Sequence, residues 1–429
     1  VLQPERRAQA QGTRRRGQLR RLAPLLVVLA LLPQSALAQG EPTPQIEAVP
    51  DAITHLLADY SRAWMKHDVS SLAQTLTGQL TKSETRALDN ASEVTFRSFS
   101  VRALTQFSGN LAYERIRSLY PHQEVKTYQI VESNAVAYES KPYEEDGAFT
   151  FVRSGSSGGA YDGWRIASKT DLDILGFFSP HNLWDESPVA VLMSPHFTLL
   201  THPAITQEVR PWLNIAEKAI ARSSAFWPGS SEKDIVIEVP ATQDELGRIT
   251  HDTANLSNFV AFVASDVNRE HGYTPTGPRM FVNITHLLKY PVSAQISVLS
   301  HELIHALTRE VSGPNTPTWV EEGLADDGGG TATLFAKVRP DVLPTTFPPA
   351  ERFVTGSVTD IQAAYAEADV AMQVLIDRFG RAGMERFYKT LGAERVVPGT
   401  EQYQVRKALQ DSLHWTYEAW VAAWRKRLG

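Results

Sequence analysis

Cysteine is absent from all 429 residues. That excludes disulfides, a thiol nucleophile, a lipid-modified cysteine and thiolate ligands, so any metal site has to be built from His, Asp and Glu. An excess of one charge is also lacking. The net charge is −6 at pH 7, which gives no reason to expect nucleic-acid binding. Long apolar runs are confined to one stretch near the N-terminus, and no segment repeats another. What is present, 42% hydrophobic and 21% charged residues, describes a globular chain long enough for two or three domains of about 150 residues.

The N-terminus carries "RRAQAQGTRRRGQLRR" (6–21), then the apolar "LAPLLVVLALLPQ", then "SALAQG". A basic region, a short apolar run and the small-x-small Ala36-Leu37-Ala38 read as a signal peptide over 1–38. The run is short for a membrane anchor, which needs about 20 apolar residues. The expectation is an exported chain, extracellular or in the cell envelope, with no membrane span once the leader is removed. The proline-rich "QGEPTPQIEAVP" (39–50) reads as a linker.

The next stretch places Ile53, Leu56, Leu57, Tyr60, Trp64 and Met65 on one helical stripe. "EVKTYQIVE", "NAVAYESKPY", "GAFTFVRSG" and "AYDGWRIASK" follow as strands separated by turn residues. Helix followed by consecutive strands predicts a small α+β domain with an antiparallel sheet over 51–175. This order, closing on "GWRIAS", resembles the nuclear transport factor 2-like fold. Residues 176–195 read as a connection. Residues 196–429 then form a second domain, in which "FTLLTH", "DIVIEVPA", "FVAFVASD" and "RMFVNITH" read as strands and "EVRPWLNIAEKAIARSSAFW" as a helix. The chain is mostly helical after residue 290, so the fold class is α+β with a helical lobe at the end. The tryptophans of "LHWTYEAWVAAWRKRLG" recur at helical spacing and read as packing.

Chemistry concentrates in "LSHELIHALT" (299–308). Val292, Ile296, Leu299, Leu303, Leu307 and Val311 recur at helical spacing, with Pro291 before and Gly313-Pro314 after. On that helix His301 and His305 lie one turn apart on one face, able to grip one ion. Glu302 points about 100° around, away from ligation but beside the open side of such an ion. Zinc suits imidazole and carboxylate donors, and a site with three protein ligands keeps one position open for chemistry. The other ten of the 12 histidines form no second cluster in the sequence.

Sixteen residues separate His305 from Glu322 in "TPTWVEEGLADDGGG" (316–330). Trp319, Glu322, Gly323 and Ala325 match the W-x-x-E-G-x-A setting of the third zinc ligand in gluzincin metallopeptidases, and the chain resembles that family here. The resemblance implies one zinc ion per chain held by His301, His305 and Glu322, with Glu302 as general base. Asp326, one turn past Glu322, matches the aspartate that holds a zinc-bound histidine by its outer nitrogen, with His301 the expected partner. "YAEADVAMQVLIDRFG" (365–380) matches a helix whose opening tyrosine stabilises the oxyanion in leukotriene-hydrolase-type aminopeptidases, which implies that role for Tyr365. "RMFVNITH" (279–286) is placed like the gluzincin edge strand that pairs with substrate. The G-x-M-E-N segment that grips a free amine there is missing, so exopeptidase action is not implied. Thr318 and Glu321 have capping-box spacing, which assigns Glu321 to the helix N-terminus.

The sequence thus predicts an exported zinc metallopeptidase acting on a peptide or protein substrate. A zinc hydrolase of other amides or esters is one alternative. A zinc-binding scaffold without catalysis is the other.

Overall fold

The computed structural model describes residues 48–107, 109–136, 138–154, 158–230, 234–251, 260–265, 267–268, 274–331, 343–393 and 401–429. The expected leader over 1–38 and most of the expected linker lie outside the described residues. Three helices, α1 (Asp51–Lys66), α2 (Val69–Thr75) and α3 (Gly78–Asn90), precede β1 (Phe96–Gln106) and α4 (Asn110–Leu119). Strands β2 (Glu124–Val136), β3 (Tyr143–Arg153) and β4 (Trp164–Ser168) complete a four-stranded antiparallel sheet in the order β1-β2-β3-β4. The expected stripe on α1 faces this sheet, with Trp64 stacked on Phe99 at 5.1 Å.

Two details depart from the sequence reading. Strand β1 was not foreseen, because a bulge between Phe96 and Ser98 breaks the alternation that marks a strand. "NAVAYESKPY" is not a strand of its own. Asn134–Val136 finish β2, and a turn follows in which the Glu139 N–H donates to the Val136 carbonyl at 2.9 Å.

Within 176–195, the short α5 (Leu183–Glu186) buries Trp184, and β5 (Ala190–Met193) already belongs to a second sheet. That sheet continues with β6 (Phe197–Thr201), α6 (Thr206–Phe226) and β7 (Ile235–Val239), then α7 (Gln243–Thr250) and β8 (Ala261–Ala264). A two-stranded ribbon, β9 (Val267–Asn268) with β10 (Thr274–Pro275), leads to β11 (Arg279–Val282). The five-stranded sheet is mixed, in the order β5-β6-β7-β11-β8, with β6, β7 and β11 parallel and β5 and β8 antiparallel at its edges. Helix α6 carries the chain between the parallel strands β6 and β7, the crossover that parallel pairing requires.

After the single turn α8 (Ile284–Leu287) the chain is helical: α9 (Val292–Thr308), α10 (Thr318–Gly329), α11 (Val358–Gly392), α12 (Glu401–Leu413) and α13 (Tyr417–Leu428). Pro291 caps α9 from outside, where a missing N–H costs nothing. Gly380, at φ 69°, breaks α11 into two helical runs. Trp420 and Trp424 on α13 are buried, and their indole N–H groups donate to the carbonyls of Ala371 and Glu367 at 3.0 and 2.8 Å. One continuous apolar core runs under both sheets and the helical lobe. Among the described residues, no helix is long and apolar enough to cross a membrane.

Candidate metal centre

Helix α9 lies in the middle of the second unit, packed against α6, α10 and β8. Between Val298 and Thr308 every residue is buried except His305, which is half-buried. The helix therefore presents its histidine face inward, with the opening on the side of His305. Helix α10 crosses that face closely, because glycine at 329 lets its backbone meet the backbone of His301; a Cβ there would stand 2.7 Å from the His301 nitrogen.

This packing brings His301, His305 and Glu322 together. The Nε2 atoms of the two histidines are 3.2 Å apart. Glu322 Oε2 lies 3.2 Å from His301 Nε2, and Oε1 lies 3.7 Å from His305 Nε2. One donor atom from each residue lies within 4.8 Å of the others, and the group could hold a metal ion. On its other side His301 Nδ1 faces Asp326 Oδ1 at 2.9 Å. That leaves Nε2 to face the shared point, the orientation a metal-binding imidazole needs.

The electrostatics of the group favour a cation. Burial works against ionising Glu322, yet His305 and His301 hold its carboxyl down at about 2. Burial likewise works against a charged His301, but its bonds to Asp326 and Glu322 outweigh it and raise the ring's proton affinity well above the usual range. The carboxylates thus draw positive charge to the point where the three donors meet.

Glu302 is completely buried, and neither carboxylate oxygen has a hydrogen-bond partner of normal geometry. Burial pushes its carboxyl up to about 8, against the lowering effects of His301 and the Val263 backbone. Leaving a buried polar group unsatisfied costs about 1–3 kcal/mol. Such a cost is typical where a side chain is kept for a reactant or water. Oε1 of Glu322 and Oδ2 of Asp326 also make no hydrogen bond of normal geometry.

Tyr365 sits two turns inside α11 rather than opening a helix, since α11 begins at Val358. Its ring is buried, edge-on to Phe353 at 5.1 Å and 6.4 Å from the His301 ring. Glu321 does not form a capping box. Pro317 is the residue before α10, so Thr318 is already helical and its side chain makes no capping bond. Burial raises the Glu321 carboxyl, with Arg309 and His305 acting against it, so it stands near the site rather than at a free helix end.

The strand assigned to substrate also changes. β11 is interior, paired on both sides, and all four of its residues are buried. The edge strand beside the site is β8, whose Val263 backbone reaches Glu302. A residue missed from the sequence is Thr331, whose hydroxyl donates to Asp326 Oδ1 and stands 3.3 Å from His301 Nδ1. Gly330 in the left-handed region closes α10 and turns the chain back, so that the Thr331 N–H reaches the Asp326 carbonyl at 3.2 Å. The glycine run was the available signal.

Compared with known protein families and curated proteins, the chain matches no family model and no curated protein.

Proposed function

We propose that this chain is an exported zinc peptidase of the gluzincin type, with one zinc ion held by His301, His305 and Glu322. The observation that carries the reading is the spacing of the donors beside an unpartnered glutamate. Ligands about 2.1 Å from a tetrahedral zinc stand about 3.4 Å apart. The two imidazole Nε2 atoms are 3.2 Å apart, and the Glu322 carboxylate reaches His301 through Oε2 at 3.2 Å and His305 through Oε1 at 3.7 Å. Zinc bound there would supply Lewis acidity, polarising a carbonyl and making water a better nucleophile.

The chain's own residues divide the remaining work. Glu302 accepts the proton of the attacking water and delivers it to the leaving amine nitrogen. Asp326, itself held by Thr331, keeps His301 in the orientation that points Nε2 at the shared site. Tyr365 donates its hydroxyl to the oxyanion. Among the described residues β8 is paired on one side only, and its other side offers backbone groups to an extended peptide, which favours a peptide over a compact ester. Burial keeps competing water from Glu302.

The test is Glu302→Gln, which touches no ligand. Zinc content should stay at one per chain while cleavage of a mixed peptide library falls by about 100- to 10,000-fold. A parent protein that holds zinc and cleaves none of the library would overturn the proposal.

A further inference from the structure

Among the described residues, the most deeply buried cation stands on strand β11. Arg279 is fully buried, and its guanidinium is gripped from two directions. From the first unit, Glu139 in the turn between β2 and β3 accepts from Nε and Nη2, both at 2.9 Å, and Asn134 Oδ1 on β2 accepts from Nη2 at 2.6 Å. From β7 beside it, Glu238 accepts from Nη1 at 3.1 Å. The Tyr143 ring covers the guanidinium at 4.9 Å and also meets Phe281, two residues along β11. Alternation along the strand explains this, since Arg279 and Phe281 share one face while Met280 and Val282 take the other.

The same turn touches the second unit twice more. The Gly277 N–H donates to the Pro142 carbonyl at 2.7 Å, and a Cβ on Gly277 would stand 2.3 Å from the Lys141 carbonyl oxygen. Lys141 also approaches Glu310, just past the end of α9, at 3.9 Å. From Arg279 the path to the site is short. Arg279 pairs with Ala264 and Met280 with Val263 on β8, and the Val263 backbone faces Glu302.

We propose that Arg279 is a positioning residue for the metal centre, and that the turn between β2 and β3 is the brace through which the first sheet holds the edge strand beside Glu302. The first unit is then neither an inhibitor nor a passenger but part of the frame of the site. A guanidinium fork suits this role, because its planar donors fix direction as well as charge. A buried ion cluster of this kind adds little net stability compared with apolar packing, but it specifies one arrangement of the elements it joins.

Two full-length, zinc-loaded variants test the brace by different routes. Glu139→Gln keeps the shape and removes a charge. Gly277→Ala keeps every charge and forces the Lys141 carbonyl away. Amide hydrogen exchange is followed in β8 and β11, with α6 as the internal reference. The expected result in both is exchange roughly 10-fold faster or more in β8 and β11, with α6 unchanged. Unchanged β8 and β11 in both variants would overturn the proposal, as would an equal rise in α6, which signals only global loss of stability. Should one variant fail to fold, the other decides alone.

A second readout rests on the peptidase reading: KM for peptides should rise roughly 10-fold with kcat nearly constant, since the strand and not the base has moved. A parent without hydrolysis would sink the peptidase reading, and exchange would still decide the brace.

Discussion

Replacing Gly329 by alanine tests how the ligands are brought together. The new methyl carbon would lie 2.7 Å from the backbone nitrogen of His301 and 2.8 Å from its Cα and Cβ, where ordinary contact begins near 3.4 Å. The obstacle is backbone of a buried helix, which cannot swing aside, so α10 must retreat by roughly 0.6–0.7 Å. Overpacking of this size costs about 1–3 kcal/mol, and the better helix propensity of alanine returns at most about 1 kcal/mol. The expected net loss is about 1–2 kcal/mol.

The consequence for metal is larger. Ligand distances tolerate only about 0.2 Å, and Glu322 moves with its helix. Zinc affinity should therefore fall about 10-fold or more, as it does when a ligand's support is lost. Competition with a chromophoric chelator measures the affinity, and thermal melting with and without EDTA measures stability. Gly109→Ala serves as the control, because nothing stands within 4 Å of its Cβ position and its φ of −68° suits alanine. If Gly329→Ala holds zinc as tightly as the parent, helix contact is not what sets the ligand geometry.

Asp326→Ala should weaken zinc retention about 10- to 100-fold in chelator competition, and Glu322→Ala more severely, since one removes a support and the other a ligand. Equal effects would argue that Asp326 is itself a ligand. Tyr365→Phe should leave zinc content unchanged and lower kcat by roughly 100-fold, with KM little altered; full activity would remove the hydroxyl from the mechanism. Burial, then the charges of Asp326 and Asp327, push the Asp369 carboxyl up to about 8. The folded state then holds a proton that the unfolded chain releases near pH 4 (about the ordinary aspartate value), so this stabilising contribution is lost as pH rises from about 4 to about 8. In metal-free protein, Asp369→Asn should melt progressively higher than the parent across that window, with the gap constant above it. A gap that does not change with pH would contradict the raised carboxyl.

The parts of this protein legible in the sequence are those governed by near neighbours along the chain. Histidines four apart on an apolar-striped helix must share a face, so His301 and His305 could be paired without knowing what surrounds them. The setting of Glu322 and Asp326 is also local, four residues on one helix. The stripe on α1 and the C-terminal tryptophans followed from the same periodicity.

What needed the tertiary structure involves residues distant in sequence or breaks in a period. Whether β8 or β11 is the edge strand depends on the order of pairing in the sheet, and both segments are short and apolar enough for either place. Glu321 lost its capping role to a one-residue difference in where α10 begins. Thr331 reaches His301 only because a left-handed glycine turns the chain back. Arg279 meets Glu139 across 140 residues of chain, in a pairing that no periodicity encodes. Local steric preference and hydrophobic spacing wrote the helices and the histidine pair into the sequence. The choice of which buried surfaces meet was made by packing, which joins residues without regard to their distance along the chain.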